Sequence, residues 1–529
     1  MYLIAERRLS ALISHGGNRL LAGSQIGLEK ESLRVSSEGS LAQTVHPAAL
    51  GSPLTHPYIT TDYSEALLEF VTPPCDEMQG ALDFLRDSQQ FVYGVLDAAP
   101  ERELLWATSM PCVVAGETSI PIAQYGSSNA GTMKTVYRRG LGHRYGRVMQ
   151  VIAGVHFNYS FPDSFWPVYQ EVEQQTGNRQ DFISAAYFAL IRNLQRFGWL
   201  IPYLFGASPA VCKSFLGGKP TQLASFDDNT YFQEFATSLR MGDIGYQNNQ
   251  EAESGIKANY DSLESYIASL RWATETPYPP YEKMGVKVDG RYQQLNANIL
   301  QIENEYYSTI RPKQILLPFE KPIQALKQRG VRYVELRSID VNAYDPLGIN
   351  ERQLRFLEAF LVFCQLHESP PISSQERQDI DRNELAAAHR GRDPQLMLHR
   401  NGRQVRLTQW AAEIIEAMSG VGELLDAGLE HKPYTGSLAN QAEKVRDPDR
   451  TPSARMLAEM RARGEGFFRY AMRMSQQHQA YFRALPEDPA RTAEFTRLAE
   501  QSWQQQRELE AADSEPFDAY LQRYLAQTV

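Results

Sequence analysis

Acids in the middle of strand-like segments constrain this chain more than any other feature. The stretches 27–35 (GLEKESLRV), 67–73 (LLEFVTP) and 331–342 (VRYVELRSIDVN) alternate with period two or are bounded by turn residues, which predicts strands. Side chains two apart in a strand share a face. Glu29 and Glu31 therefore project together, and Glu69 shares a face with Leu67 and Val71, where a core residue would point. Glu335 lies between Tyr333 and Arg337 on one face, with Arg332, Val334 and Leu336 on the other. A buried carboxylate without a partner is costly, so such acids either face water or meet a compensating charge.

Each acid also has a simpler reading at this level. Glu29 and Glu31 fit a solvated strand face, and Glu69 fits a water-facing position. Asp62, just before the 67–73 run, fits a helix N-cap, and Glu65 is the bystander of that region. Glu335 and Arg337 fit a structural salt bridge. His156, in GVHFNYSF, shares a face with Asn158 and Ser160 and fits a hydrogen-bonded structural histidine.

Taken together, Glu29, Glu31, Asp62, Glu69 and Glu335 offer oxygen donors on separated strands, a set suited to Mg²⁺ or Mn²⁺ and not to Zn²⁺. Several carboxylates share one site only if cations screen their repulsion. Mg²⁺ commonly bridges carboxylates and substrate phosphates, and the planar fork of Arg337 suits a phosphate. The combined reading is a multi-metal phosphoryl-transfer site, where positioning and charge neutralisation do most of the catalysis.

The rest of the chain sets the frame. Strands are also expected at 149–161 and 295–307, and helices at 77–99, 181–206, 351–368, 408–428, 454–485 and 492–512 from apolar residues at helical spacing. Segment 431–452 reads as a polar loop. Strands and helices without a regular βαβ rhythm predict an α+β fold with an antiparallel sheet. The organisation expected is a sheet-and-helix core over 1–365 and a helical region over 366–529, packed as one continuous domain.

A net charge of -10 argues against nucleic acid as a partner. No run approaches the roughly 20 apolar residues of a membrane span, and Glu6, Arg7 and Arg8 interrupt the N-terminal apolar stretch, against a signal peptide. Cys75, Cys112, Cys212 and Cys364 are too scattered for a disulfide framework or a zinc site, so a reducing, cytoplasmic setting is expected. There is no GxxxxGK[ST], and the glycines of GLGHRYG (140–146) are misplaced for GxGxxG, so any nucleotide is held in another way.

Longer blocks carry a resemblance. GLEKESLRV, HPAALGSPLTHPYITTDYSEALLEFVTP, SMPC, IAQYGSSNAG, TVYRRGLGHRYG, GVHFNYSF, IRNLQRFGWLIPYLFGASPAVC, ATSLRMGDIGY, LQIENEYYSTIRPK and VRYVELRSIDVNAYDPLGI follow one another from about residue 20 to 350, and AADSEPFDAYL lies at 511–521. In these the chain resembles the proteobacterial-type glutamate–cysteine ligases (γ-glutamylcysteine synthetases). The resemblance implies a glutamine-synthetase-like fold: a curved antiparallel sheet forming a funnel, flanked by helices, with a mostly helical C-terminal part. It implies that ATP activates the γ-carboxylate of L-glutamate as an acyl phosphate, which the amine of L-cysteine attacks. Glu29, Glu31, Asp62, Glu69, His156 and Glu335 would then be metal ligands for two or three Mg²⁺ ions, with Mn²⁺ as the alternative. Glu335 and Arg337 would be catalytic, Arg337 on the transferring phosphate. Arg240, Tyr246 and Tyr307 would hold cysteine, with Tyr63, Tyr137, Leu141 and Gln150 lining the rest of that pocket. A monomer acting on small molecules is expected. Competing readings are a related carboxylate–amine ligase with another amine, a two-metal phosphohydrolase, and a binding protein that kept the fold.

Overall fold

The computed structural model describes residues 2–111, 114–245 and 257–527; Tyr246 and Cys112 lie outside them. The acid-bearing strands pair with one another. A seven-stranded sheet runs Ile310–Lys313, Tyr333–Asp340, Gly154–Ser160, Gln25–Val35, Leu67–Val71, Ile59–Thr61, and Leu104–Leu105 joins the end of Gln25–Val35. Every pairing in it is antiparallel. Such a sheet can keep one face polar while the other is packed.

The two faces of Gln25–Val35 show how. Ile26, Leu28 and Lys30 are buried, and the Lys30 ammonium donates to Gln89 Oε1 (2.5 Å) on the helix Met78–Ala98. That helix buries Met78, Ala81, Leu82, Leu85, Val92 and Leu96, an apolar stripe at helical spacing. Glu29 and Glu31 take the other face.

The C-terminal part is mostly helical and shares the core of the sheet. Met456, Phe467, Tyr470 and Phe495 belong to the same buried apolar cluster as Leu28 and Phe157. Several predicted helices are broken: 181–206 at Gly198, 408–428 at Met418, and 454–485 at Gly464, whose left-handed φ of 61° ends the helix Pro452–Arg463.

Two predicted segments differ in kind. The polar loop at 431–452 is instead the helix Pro433–Arg446, followed by a short 3-10 turn. Tyr434, Leu438 and Val445 make its buried stripe, with Ser437 and Gln441 buried among them, so the stripe looks polar in sequence. The strand at 295–307 is absent: the segment is irregular, with one 3-10 turn at Glu303–Glu305. Its backbone is satisfied by side chains instead of a ladder. The Arg144 guanidinium donates to the carbonyls of Asn296 and Ile299, and Gln301 Oε1 accepts from Leu295 N–H.

Candidate active site

Sheet register brings the predicted acids onto one face. Glu29 stands opposite His156, Glu31 opposite Glu69, and Glu335 opposite Asn158. His156 is at the centre: Nδ1 lies 2.9 Å from Glu29 Oε2 and 3.6 Å from Glu335 Oε1, and Nε2 lies 3.9 Å from Glu31 Oε1. Glu29, His156 and Glu335 each offer a ligand atom within 4.8 Å of the others. Asn158 Nδ2 donates to Glu29 Oε1 (3.0 Å), and Gly154 N–H donates to Glu31 Oε2 (2.6 Å).

Some of the simpler readings fail on this geometry, whereas the Glu335–Arg337 salt bridge (2.7 Å) and the hydrogen-bonded His156 (2.9 Å to Glu29) are both present. Glu31 and Glu335 are buried, so neither belongs to a solvated face. Glu69 does not point into the core; Leu68 and Phe70 fill the packed face and Glu69 takes the face of Glu31. Asp62 caps no helix. It lies between two strands, its carbonyl accepts from Tyr125 Oη (2.9 Å) and Arg138 Nε, and its Oδ1 is 3.5 Å from Arg138 Nη2. Glu65 accepts backbone N–H groups from His46 (2.9 Å) and Gln124 (2.8 Å), a structural role away from the cluster.

Charge is unevenly distributed over the cluster. Burial would raise Glu335, but Arg337, Lys313, His156 and Arg311 hold it well below the usual carboxylate range. Arg337 Nη1 donates to Glu335 Oε1 at 2.7 Å, and Lys313 Nζ lies 3.2 Å from Oε2. Burial and the Glu335 charge push Glu29 up, yet its hydrogen bond to His156 leaves it lowered. Burial raises Glu31, and burial plus the charges of Glu29, Asp62 and Glu31 lifts Glu69 far above its ordinary value. Arginine and lysine thus compensate the Glu335 end and leave the Glu69 end over-charged. An oxygen-rich donor set with one imidazole and uncompensated buried acids fits hard divalent cations.

A cavity opens beside the cluster. Glu31, Asp62, His156 and Arg337 line it together with Tyr63, Tyr137, Leu141, Gln150, Arg240 and Tyr307. Sequence positions scattered from Glu31 to Arg337 therefore share one space, Tyr246 excepted as outside the described residues. Two glycines make room for it. A Cβ on Gly142 would lie 2.3 Å from Tyr63 Oη, and one on Gly154 would lie 2.1 Å from Arg240 Nη2. Gly140 and Gly142 of GLGHRYG therefore serve packing on the helix Asn129–Tyr145, and Gly146, with φ 82°, ends it. Arg240 is buried; Nη2 donates to the Arg337 carbonyl (2.8 Å) and Nη1 is 3.8 Å from Asp340. Asp340 is itself fixed by Ala207 N–H, Ser208 Oγ and Ser238 Oγ. A bulge between Leu336 and Ile339 interrupts the strand ladder where Arg337 emerges. Tyr307 Oη donates to Gln150 Oε1 at 2.8 Å.

Sequence reasoning missed the lining groups Arg138, Arg311 and Asn304, and Lys313 beside Glu335. A signal existed for two of them. In Ile310–Lys313 the buried residues are Ile310 and Pro312, so Arg311 and Lys313 share the face of Glu335, directly across from Arg311. Arg138 followed Tyr137 in a helix and had no such pattern.

Comparison with known proteins gives the family and the fold. The family model described as glutamate-cysteine ligase matches residues 9–386. Glutamate–cysteine ligases of Alcanivorax borkumensis and Pseudomonas aeruginosa are each 48% identical, the first over 98% of this chain and 99% of its own, the second over 99% and 98%. The crystal structure of a Francisella tularensis glutamate–cysteine ligase in complex with AMP superposes with a TM-score of 0.88 at 37% identity, covering 95% of this chain and 98% of that one. A bifunctional glutathione synthetase of Pasteurella multocida shares the fold, with a TM-score of 0.71 at 23% identity over 91% of this chain and 54% of that one. With the family model over residues 9–386, 48% identity over nearly the whole chain and a matching fold, the chain belongs to the glutamate–cysteine ligase family.

Proposed function

We propose that the acid cluster and its cavity are where this ATP-dependent ligase joins L-glutamate, through its γ-carboxylate, to L-cysteine, the first step of glutathione biosynthesis. The observation that carries the assignment is adjacency: Arg337, bonded to Glu335, lines the same cavity as Arg240 and Tyr307. A phosphate-handling cation thus stands beside groups suited to an amino acid.

The reaction divides into two transfers. A γ-carboxylate oxygen of glutamate attacks the γ-phosphorus of ATP, and ADP leaves with the bonding electrons. The cysteine amine attacks the acyl carbon of the resulting γ-glutamyl phosphate, phosphate departs, and the nitrogen releases its proton. Arg337 offsets charge on the transferring phosphoryl oxygens. Arg240 supplies charge toward the cysteine carboxylate, and Tyr307 a hydrogen bond. Burial raises the phenols of Tyr63 and Tyr137, so both stay protonated and act as donors along the pocket. Tyr246 joins this set on the family resemblance alone. Glu29, Glu31, Asp62, Glu69, His156 and Glu335 would hold two or three Mg²⁺ ions, or Mn²⁺, which neutralise phosphate oxygens when bound.

A monomer acting on these small molecules completes the proposal. The free thiols Cys75, Cys212 and Cys364 suit a reducing cytoplasm. Among the described residues no helix is long and apolar enough to cross a membrane.

ADP release measured with each amino acid omitted in turn tests the reaction. Full turnover is expected only with both glutamate and cysteine; full-rate ADP release without glutamate would instead mark a phosphohydrolase. The acceptor pocket has its own test. Tyr307→Phe is expected to raise the cysteine KM about tenfold, since a hydrogen bond to a charged group is worth roughly 1.5–3 kcal/mol, while the ATP KM changes less. An unchanged cysteine KM would remove Tyr307 from the pocket.

A further inference from the structure

We propose that the C-terminal segment from Ser502 to Leu525 is a clasp that sets the shape of the amino-acid cavity, with Asp513 as its positioning residue, acting through the helix Asn129–Tyr145. The inference rests on reading that cavity as the amino-acid site.

The clasp is built in three stages. First, the helix Pro489–Ala512 lies along the loop that leads to the strand Ile59–Thr61. Ser52 N–H donates to Ser502 Oγ (2.8 Å), Thr55 Oγ1 to the Ser502 carbonyl (2.6 Å), and Trp503 Nε1 to the Ala48 carbonyl (2.8 Å). Second, the same helix closes over the turn that begins the helix Asn129–Tyr145. Ser127 N–H donates to Glu510 Oε1 (2.8 Å). Gly126 has φ +80°, and a Cβ there would lie 2.2 Å from Gln506 Nε2 and 2.4 Å from Glu510 Oε1. Glycine suits this left-handed turn, and its missing side chain lets Gln506 and Glu510 approach the backbone.

Third, Asp513 accepts the N–H of Asn129, the first residue of the cavity-lining helix, and the Glu515 carbonyl accepts Asn129 Nδ2 (3.0 Å). A carboxylate at this end meets the positive pole of the helix and one of its unsatisfied donors. The chain then turns into the helix Phe517–Leu525, whose Leu521 and Tyr524 pack on Met133 and Val136 of the same cavity-lining helix. Tyr292 Oη donates to Asp518 Oδ1 (2.6 Å), which secures the far side.

The held helix carries Tyr137, Arg138 and Leu141 into the cavity. It also contains Gly131, Gly140 and Gly142, poor helix formers that packing nonetheless requires. A helix weakened in this way takes its position from what grips its start and flank, and here the grip comes from the last residues of the chain. This gives AADSEPFDAYL a role in the reaction without contact with substrate.

Steady-state kinetics on the full chain tests the proposal. Asp513→Ala is expected to raise the KM values of glutamate and cysteine about fivefold, with the ATP KM unchanged within about twofold. Asp513→Asn should restore most of the amino-acid affinity, because its amide oxygen still accepts the Asn129 N–H. Unchanged amino-acid KM values, or an equal rise for ATP, would overturn the proposal. Should Asp513→Ala not fold, Glu510→Ala reads the same split from the neighbouring contact, with the same outcomes counting for and against. Tyr307→Phe separates the two levels of inference. If it raises the cysteine KM and Asp513→Ala does not, the clasp alone is wrong; if neither does, the cavity assignment is wrong.

Discussion

Glu335→Gln is expected to lower kcat on the order of 1,000-fold while leaving the fold intact, comparable to losing one group aimed at developing transition-state charge. The side chain is 1% exposed and keeps its ionised form only because Arg337, Lys313, His156 and Arg311 outweigh its burial. Glutamine has the same shape and retains an acceptor for Arg337 Nη1, so the local packing survives. What it loses is the negative charge. Without that charge, Arg337 and Lys313 face a neutral amide, and the Glu29, His156 and Glu335 set loses a carboxylate ligand. ADP release at saturating substrates measures the loss. Circular dichroism and a melting curve establish that the fold remains. Melting with added Mg²⁺ and no nucleotide gives a readout independent of turnover: a ligand at 100 times its Kd stabilises by about 2.7 kcal/mol, and this protection should shrink in the variant. Turnover within about threefold of the parent, with Mg²⁺ protection intact, would remove Glu335 from the site.

Part of the acid cluster was legible because strand alternation is a strict rule, while the metal role of His156 came from the family resemblance. Once 27–35, 67–73 and 331–342 are strands, parity alone puts Glu29 with Glu31 and Glu335 with Arg337. Parity does not say which face is open, so Glu69 was expected toward the core, whereas Leu68 and Phe70 occupy it. The aromatic residues of the cavity carried no pattern of their own among 27 tyrosines; Tyr63, Tyr137 and Tyr307 came from the family resemblance. Lys313 was within reach, since Ile310 and Pro312 define the buried parity of its strand. The helix Pro433–Arg446 was hidden because Ser437 and Gln441 sit in its buried stripe. Hydropathy reads such residues as exposed, but a buried polar side chain is stable when hydrogen-bonded, as Ser437 Oγ is to the Arg352 carbonyl (2.6 Å). The irregular course of 295–307 depends on partners about 150 residues away, which no local window contains.

That segment yields the largest expected loss of stability. Arg144 and Glu305 have side chains with 0% exposure and an Nη1–Oε1 distance of 2.8 Å. The guanidinium also donates to Gln294 Oε1 (3.0 and 2.8 Å) and to the carbonyls of Asn296 (2.8 Å) and Ile299 (3.3 Å), and it stacks over Tyr281 at 4.0 Å. One side chain therefore does the work of a strand partner for a stretch without a ladder. Arg144→Met removes these donors and leaves the buried Glu305 carboxylate without its cation, held by the Tyr145 hydroxyl (2.9 Å) and the Gln301 N–H (2.7 Å); losing one partner of a buried pair costs about 3–5 kcal/mol. Equilibrium urea unfolding should show the loss as a lower midpoint. Arg144→Lys should recover little of it, because an ammonium is a single point of charge and cannot fan out to several acceptors in a plane. The same change should reach the site, since Tyr307 lies two residues beyond Glu305 and holds Gln150 in the cavity; the cysteine KM should rise in the folded fraction. A midpoint shift worth under about 1 kcal/mol, or full rescue by lysine, would show that the loop is held by its apolar residues and not by the Arg144 network.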